Sequence, residues 1–537
     1  MTTSPIAVTG GLVQGHTESD PTITVFRGIP YAAPPLGPYR FRPPQPVTPW
    51  EGVRECTQNS AVNYQLPPPP KFYDTLVGVP QSEDILYLNV WVPDSAKHDG
   101  PYPVFFWMHG GGFREGGNAD KNFNGTGLAQ KGVIVVVPNF RLGMLGFLAH
   151  PELSKAEPSG ASGNQGILDC IQALQWIQEN IAAFGGDPGR VTIGGQSSGS
   201  AMTTILLFSP ITKGLFHRAC IQSGVRSPQD QMMPTMAPSY RQLQHAEEDG
   251  VALLRELGFS SLEEARKHPD PLLFARAALK RDARYWGPPP FFRAVLDGHV
   301  FVKPYHETLR DGPPNDIPIL TGQNANESGV YAEPRFTLDD FHQCVHERVG
   351  AAFEDRYRAV YPLANTEMGQ GPLETWNLSA QEQTRVSTSE WARLWKTKAS
   401  SPVFGYYFTH APPAYHGFKP DFSAPKVAGF TQNKGPLTGA FHGAEFAYTF
   451  NSVVTSDMRP WTDRDRYVGE VVSTLWSNFI KHGDPNQGRP ERVARWPALT
   501  EDPTTMLELG GEFDTISIAR PEAIDFWTSF IQTGEAW

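Results

Sequence analysis

Apolar runs of strand length, separated by stretches of helical periodicity, predict an α/β fold built on a mainly parallel sheet flanked by helices. Three observations carry this: the run Val133–Pro138, the helical spacing of Leu168, Ile171, Ala173, Leu174, Ile177 and Ile181, and the glycines that follow the strand-like runs Val104–Met108 and Val191–Gly194. In chain order, Tyr87–Val92 alternates and is rich in β-formers, and Val104–Met108 is a short apolar run. Val133–Pro138 has the composition of a strand buried on both faces. The helical stretch Leu168–Ala183 ends in a turn, Phe184–Arg190, before the strand Val191–Gly194 and a helical stretch over Ser200–Leu207. Between about 225 and 290 the pattern changes to amphipathic helices, Ala246–Leu257 and Leu262–Lys267, closed by the Pro-rich Gly287–Pro290. This part reads as a helical insertion over the sheet, within one domain spanning 1–537. Pro402–Phe408 returns to strand character, and Ala523–Ile531 is helical.

Composition narrows the function classes. With 39% hydrophobic and 19% charged residues among 537, the chain is globular and large enough for a sizeable core. Its 51 glycines and 50 prolines imply many turns and long surface loops, Gln65–Lys71 among them. A net charge of -11 repels phosphate backbones, so nucleic acid is not an expected partner. The apolar strings are too short to span a bilayer. Met1–Gly15 has no basic segment leading into an apolar one, so a cytoplasmic location is expected. Cys56, Cys170, Cys220 and Cys344 are too widely spaced for a metal site or a disulfide framework, and are expected to be reduced and mostly buried. Sequons begin at Asn124, Asn326 and Asn377; without a leader they carry no weight.

Two motifs carry chemistry. Gly195-Gln-Ser-Ser-Gly199 is a G-x-S-x-G sequence between a strand and a helix. A serine at such a sharp bend is pushed out at the carboxyl edge of the sheet, and the flanking glycines leave room for the turn. His109-Gly-Gly-Gly112 follows the strand Val104–Met108. Consecutive glycines let backbone N–H groups approach a developing oxyanion more closely than side chains could. Gly111, Gly112 and the N–H of Ser198 are therefore the expected oxyanion hole, with Ser197 as nucleophile. Spacing alone does not select a base from the 15 histidines.

With these motifs in place, the chain resembles the type-B carboxylesterase/lipase family, whose members include p-nitrobenzyl esterases, carboxylesterases and cholinesterases. The similarity runs along nearly the whole chain. It includes Phe26-Arg-Gly-Ile-Pro-Tyr-Ala32, Glu83-Asp-Ile-Leu-Tyr-Leu-Asn-Val90, Asn139-Phe-Arg-Leu-Gly143, Gly163-Asn-Gln-Gly166, Phe184-Gly-Gly-Asp-Pro188, Val295-Leu-Asp-Gly298 and His482-Gly-Asp-Pro-Asn486. The resemblance implies an α/β-hydrolase fold and a serine hydrolase that cleaves carboxylic esters of small molecules without metal or cofactor. It places the catalytic acid at Glu327, within Gly322–Gly329, and the catalytic base at His442, within Phe441-His-Gly-Ala-Glu445. The order Ser, Glu, His is the one this fold uses. It also places Phe291 and Phe292 at the acyl pocket, where two core phenylalanines would read the same.

Departures from the family pattern are informative. Ile85 stands where the family often has a cysteine, so the usual bridge to Cys56 cannot form, which favours a reducing compartment. Gln196 replaces a frequent glutamate before the nucleophile, and Ser198 a frequent alanine after it. Between Cys56 and Ile85 there is no tryptophan, only Tyr64, Phe72 and Tyr73. A cation cage of the cholinesterase kind is therefore not expected. The sequence leaves open a lactonase, an acyltransferase or a hydrolase of one specialised metabolite using the same triad. A non-catalytic binding homologue is a reading from another class, and the full set of triad residues speaks against it. Oligomeric state and the natural ester are not encoded in any motif.

Overall fold

The computed structural model describes residues 2–18, 20–66, 76, 78–93, 100–236, 238–285, 288–327, 337–363, 370–416, 426–427, 430–431 and 439–537. Residues 67–71 of the proline-rich stretch, Phe72, Tyr73, Gly287, Ser328 and Gly329 lie outside them.

One large sheet organises the chain. Its strands are β1 (His16–Thr17), β2 (Ile23–Pro30), β3 (Tyr87–Pro93), β4 (Tyr102–Met108), β5 (Ile134–Pro138), β6 (Gly186–Gln196), β7 (Arg218–Gln222), β8 (Ile319–Asn324), β9 (Val403–Phe408), β10 (Thr505–Leu509) and β11 (Thr515–Ser517). The spatial order is β11-β10-β9-β8-β7-β6-β4-β5-β3-β2-β1. From β10 through β5 every neighbouring pair is parallel, and antiparallel strands close both edges. Strands covered by helices on both faces must be apolar throughout. All seven residues of β4 and all five of β5 are buried.

Helices α1 (Gln165–Asn180), α2 (Ser198–Phe208), α3 (Leu338–Val349), α4 (Gln370–Lys396), α5 (Asp463–His482) and α6 (Pro521–Ile531) accompany the sheet. Every residue of α2 is buried, so the helix behind the G-x-S-x-G bend is locked into the core. Helix α5 starts with a capping box, in which Thr462 and Asp465 satisfy each other's backbone N–H groups, and stops at Gly483 in the left-handed region. In the 225–290 segment lie the helices Leu243–Glu256, Leu262–Lys267 and Leu272–Ala277. Arg241–Gln242 before them pairs with Val295–Leu296 after them.

One sequence expectation is corrected. The turn over Phe184–Arg190 is only partly a turn, because β6 already begins at Gly186. Gly186 pairs with Tyr102 and Val191 with Val104, so the segment bulges out of register within the strand. The Asp-Pro-Gly sequence between them cannot follow the ladder.

Two family-like motifs owe their form to buried ion pairs. Arg141 Nη2 lies 2.6 Å from Asp169 Oδ1, and Arg141 Nε donates to Asp169 Oδ2 at 2.8 Å. Arg40 Nη2 and Nε donate to Glu83 Oε1 and Oε2 at 2.5 and 2.8 Å. Removing one partner of such a pair costs about 3–5 kcal/mol, because the other is left charged and dry. The four cysteines are free, and all but Cys344 are buried. No helix among the described residues is long and apolar enough to cross a membrane.

Candidate active site

The site forms where the central parallel strands end at their carboxyl edge. Ser197 follows directly on β6 and caps α2, with φ 58° and ψ −120°. That is a strained conformation for a non-glycine residue. The bend survives because Ser197 N donates to Gln222 O at 3.1 Å, while Ala201 N at 3.1 Å and Ser200 Oγ at 2.5 Å donate to Ser197 O. A Cβ at Gly199 would stand 2.1 Å from Met108 O, and one at Gly195 would stand 2.4 Å from Gly199 C. Both positions therefore have to be glycine.

The glycine loop after β4 packs against this bend. A Cβ on Gly110 would meet Gln196 O at 2.8 Å and Ser197 Cβ at 3.2 Å. Gly111 and Gly112 turn with φ 106° and 62°, and Arg114 N and Glu115 N donate to Gly111 O at 3.1 and 3.2 Å. Ser198 is the first residue of α2 and is buried. His109 stacks on Phe140 with ring centroids 4.4 Å apart, and its Nδ1 contacts Gly110 O at 2.8 Å. Burial lowers the His109 pKa to about 4, so this ring is neutral and serves as a wall of the loop.

Glu327 and His442 meet through tertiary pairing. A parallel bridge joins Asn326 to Phe441, Asn326 N donates to Ala440 O at 2.9 Å, and Ala440 N donates to Asn326 Oδ1 at 3.0 Å. Next to this bridge, His442 Nδ1 donates to Glu327 Oε2 at 2.5 Å. Glu327 Oε1 accepts from Ser223 Oγ at 2.9 Å and from Asn324 N at 2.8 Å. Burial pushes the Glu327 carboxyl up, but the facing imidazole and these donors outweigh it, so its pKa lies below the ordinary value. Burial opposes the imidazolium of His442, yet the Glu327 carboxylate prevails and raises that pKa. Facing a carboxylate, the histidine keeps its proton on Nδ1, the tautomer in which Nε2 carries the lone pair. Gln196 links the bend to this pair: its Nε2 lies 3.2 and 3.1 Å from the two ring nitrogens of His442.

Sequence reasoning left Glu445 without a role, although it lies within the quoted Phe441–Glu445 segment. It is 1% exposed and accepts from Gln222 Nε2 at 3.1 Å and from Asn324 Nδ2. Gln222 and Asn324 end the adjacent strands β7 and β8, so Glu445 ties the histidine loop to the sheet edge. Burial and the nearby Glu327 raise its pKa to about 7. Ser223, with φ 54°, was likewise invisible: only the fold turns its hydroxyl to Glu327.

Phe291 and Phe292 do not join this constellation through any described contact. They pack edge to face at 5.2 Å within the main core, and Phe291 faces Lys280 and Arg241 at 5.4 and 5.7 Å.

Comparison with known proteins gives a consistent result. Residues 2–527 match the carboxylesterase family. Fumonisin B1 esterase of Sphingopyxis macrogoltabida is 33% identical over 496 residues, covering 91% of this chain and 83% of that protein. Para-nitrobenzyl esterase of Bacillus subtilis (strain 168) is 30% identical over 528 residues, covering 95% and 96%. A solved PNB esterase superposes with a TM-score of 0.75 at 27% identity, covering 97% of this chain and 99% of the other.

Proposed function

The chain belongs to the carboxylesterase family and is a carboxylic ester hydrolase, and from that premise we propose that it works through an acyl-enzyme on Ser197, with His442 as base and Glu327 as orienting acid. The observation that carries this reading is the 2.5 Å contact of His442 Nδ1 with Glu327, formed beside a serine held on a strained bend.

The roles follow from the groups. A serine hydroxyl is a weak nucleophile at neutral pH, so His442 Nε2 takes its proton as Oγ attacks the ester carbonyl. Glu327 holds the imidazole in the required tautomer and stabilises the imidazolium. The N–H groups of Gly111, Gly112 and Ser198 receive the oxyanion; losing one such donor costs about 3 kcal/mol of transition-state stabilisation. His442 then returns the proton to the leaving alcohol, and water repeats the sequence to release the acid. The reaction as written needs no metal or cofactor.

Small uncharged esters of short to medium acyl chains fit the reading best. Gln196 is neutral, and no tryptophan lies between Cys56 and Ile85 to face a quaternary ammonium. Phe291 and Phe292 are proposed to bound the acyl side. Hydrolysis of p-nitrophenyl esters and of the matching choline esters by wild type and by Ser197→Ala tests the whole. Expected are graded kcat/KM values favouring uncharged short esters, and no turnover by the variant. Turnover by Ser197→Ala sinks the mechanism, and a strong preference for choline esters sinks the substrate class.

A further inference from the structure

Gln196 ends β6 and is 2% exposed. Its Nε2 lies 3.2 Å from His442 Nδ1 and 3.1 Å from His442 Nε2. The lone pair of an imidazole nitrogen lies in the ring plane, and an atom on that axis is far from the other nitrogen. The in-plane position between the two nitrogens is filled by Cε1–H. Near-equal distances therefore place the carboxamide on the face of the ring. There it lies off the in-plane axis along which Nδ1 donates to Glu327.

Among the described residues, the charged groups acting on this ring are Glu327 and, after it, Glu445. β6 contributes the neutral Gln196. At the ends of β7 and β8, Gln222, the following Ser223 and Asn324 act on the two carboxylates and carry no charge themselves.

We propose that Gln196 is a positioning residue for His442: its carboxamide packs on the imidazole face, fixes the ring plane with Nε2 turned to Ser197, and keeps that face free of charge. The inference rests on the Ser197–His442–Glu327 reading. A carboxylate at the same place would stabilise the imidazolium, and the free base would then disappear at mildly acid pH. The neutral amide thus extends the working range of the base downwards in pH.

The test compares wild type with Gln196→Glu and Gln196→Met in the full chain. The ionisation of His442 is followed by NMR of 13C-labelled histidine, its signal identified by loss in His442→Gln. The acid limb of kcat/KM for a neutral acetate ester is followed in a pH-stat. In Gln196→Glu both midpoints are expected to rise by about one pH unit. In Gln196→Met the midpoint is expected to stay, while kcat falls about tenfold at unchanged KM because the ring loses its alignment. Unmoved midpoints in Gln196→Glu overturn the proposal. So does wild-type kcat in Gln196→Met, a result that stands even if Gln196→Glu does not fold. The NMR midpoint requires no turnover, so failure of the face contact is distinguishable from failure of the triad reading, which shows as activity surviving Ser197→Ala.

Discussion

Gly199→Ala places the smallest side chain at the tightest point of the site. Its Cβ would stand 2.1 Å from Met108 O and 2.8 Å from His109 O, where ordinary contact begins at 3.4 Å. Both neighbours are backbone atoms at the end of β4, so no side chain can swing away. Either α2 or the strand end carrying the glycine loop must move by about 1 Å, and a misplacement of that size costs on the order of 100-fold in rate. Overpacking of this kind also costs about 1–3 kcal/mol of stability. The assay is kcat and KM on a short p-nitrophenyl ester, with the unfolding midpoint measured on the same sample. The loss is expected mainly in kcat, because Ser197 and the loop shift relative to each other while the rest of the binding surface stays. Near-wild-type kcat in a folded Gly199→Ala protein would refute the reasoning that the two segments must touch for activity.

Other expectations concern the acid, the acyl side and pH. Glu327→Gln removes the charge facing His442 and admits the wrong tautomer; kcat should fall by about four orders of magnitude, and a near-normal kcat would make another carboxylate the orienting acid. Phe292→Ala should lower stability by about 3–5 kcal/mol, as for a buried phenylalanine, and move the acyl-length optimum upwards; a fall in stability alone would make Phe292 a core residue. Glu445, raised to about 7 from 4.5, keeps a proton in the folded state that the unfolded chain releases. Its stabilisation is full below the unfolded value and is lost as pH rises through the folded one. The raised His442 acts in the same sense above 6.5, whereas the depressed Glu327 contributes above 4.5 and is lost as pH falls through its folded value. Glu445→Gln should therefore flatten the decline of the unfolding midpoint between about pH 5 and 8, and identical slopes would contradict the assignment.

The parallel core was legible because strands buried on both faces must be apolar without interruption, as in β5. The bend at Ser197 was legible because its close backbone approaches demand glycine at fixed positions on either side. What escaped reading depends on contacts between distant segments. The bulge after Gly186 arises from pairing with β4, which no local pattern of Phe184–Arg190 reveals. His442 reaches Glu327 only through the Asn326–Phe441 bridge, across more than a hundred residues, and resemblance rather than spacing pointed to it. Glu445 and Ser223 look like ordinary polar residues in sequence; their partners, Gln222, Asn324 and Glu327, are set by which strand ends lie side by side.

The central claim is that Ser197 is the nucleophile, activated by its surroundings above every other serine. Treating the protein with a serine-directed organophosphate and mapping the adduct by peptide mass spectrometry tests this most directly. The account predicts one adduct, on the peptide containing Ser197, formed in step with the loss of esterase activity, and no adduct in His442→Ala. An adduct on a different serine, or activity that persists once Ser197 is fully labelled, would contradict it.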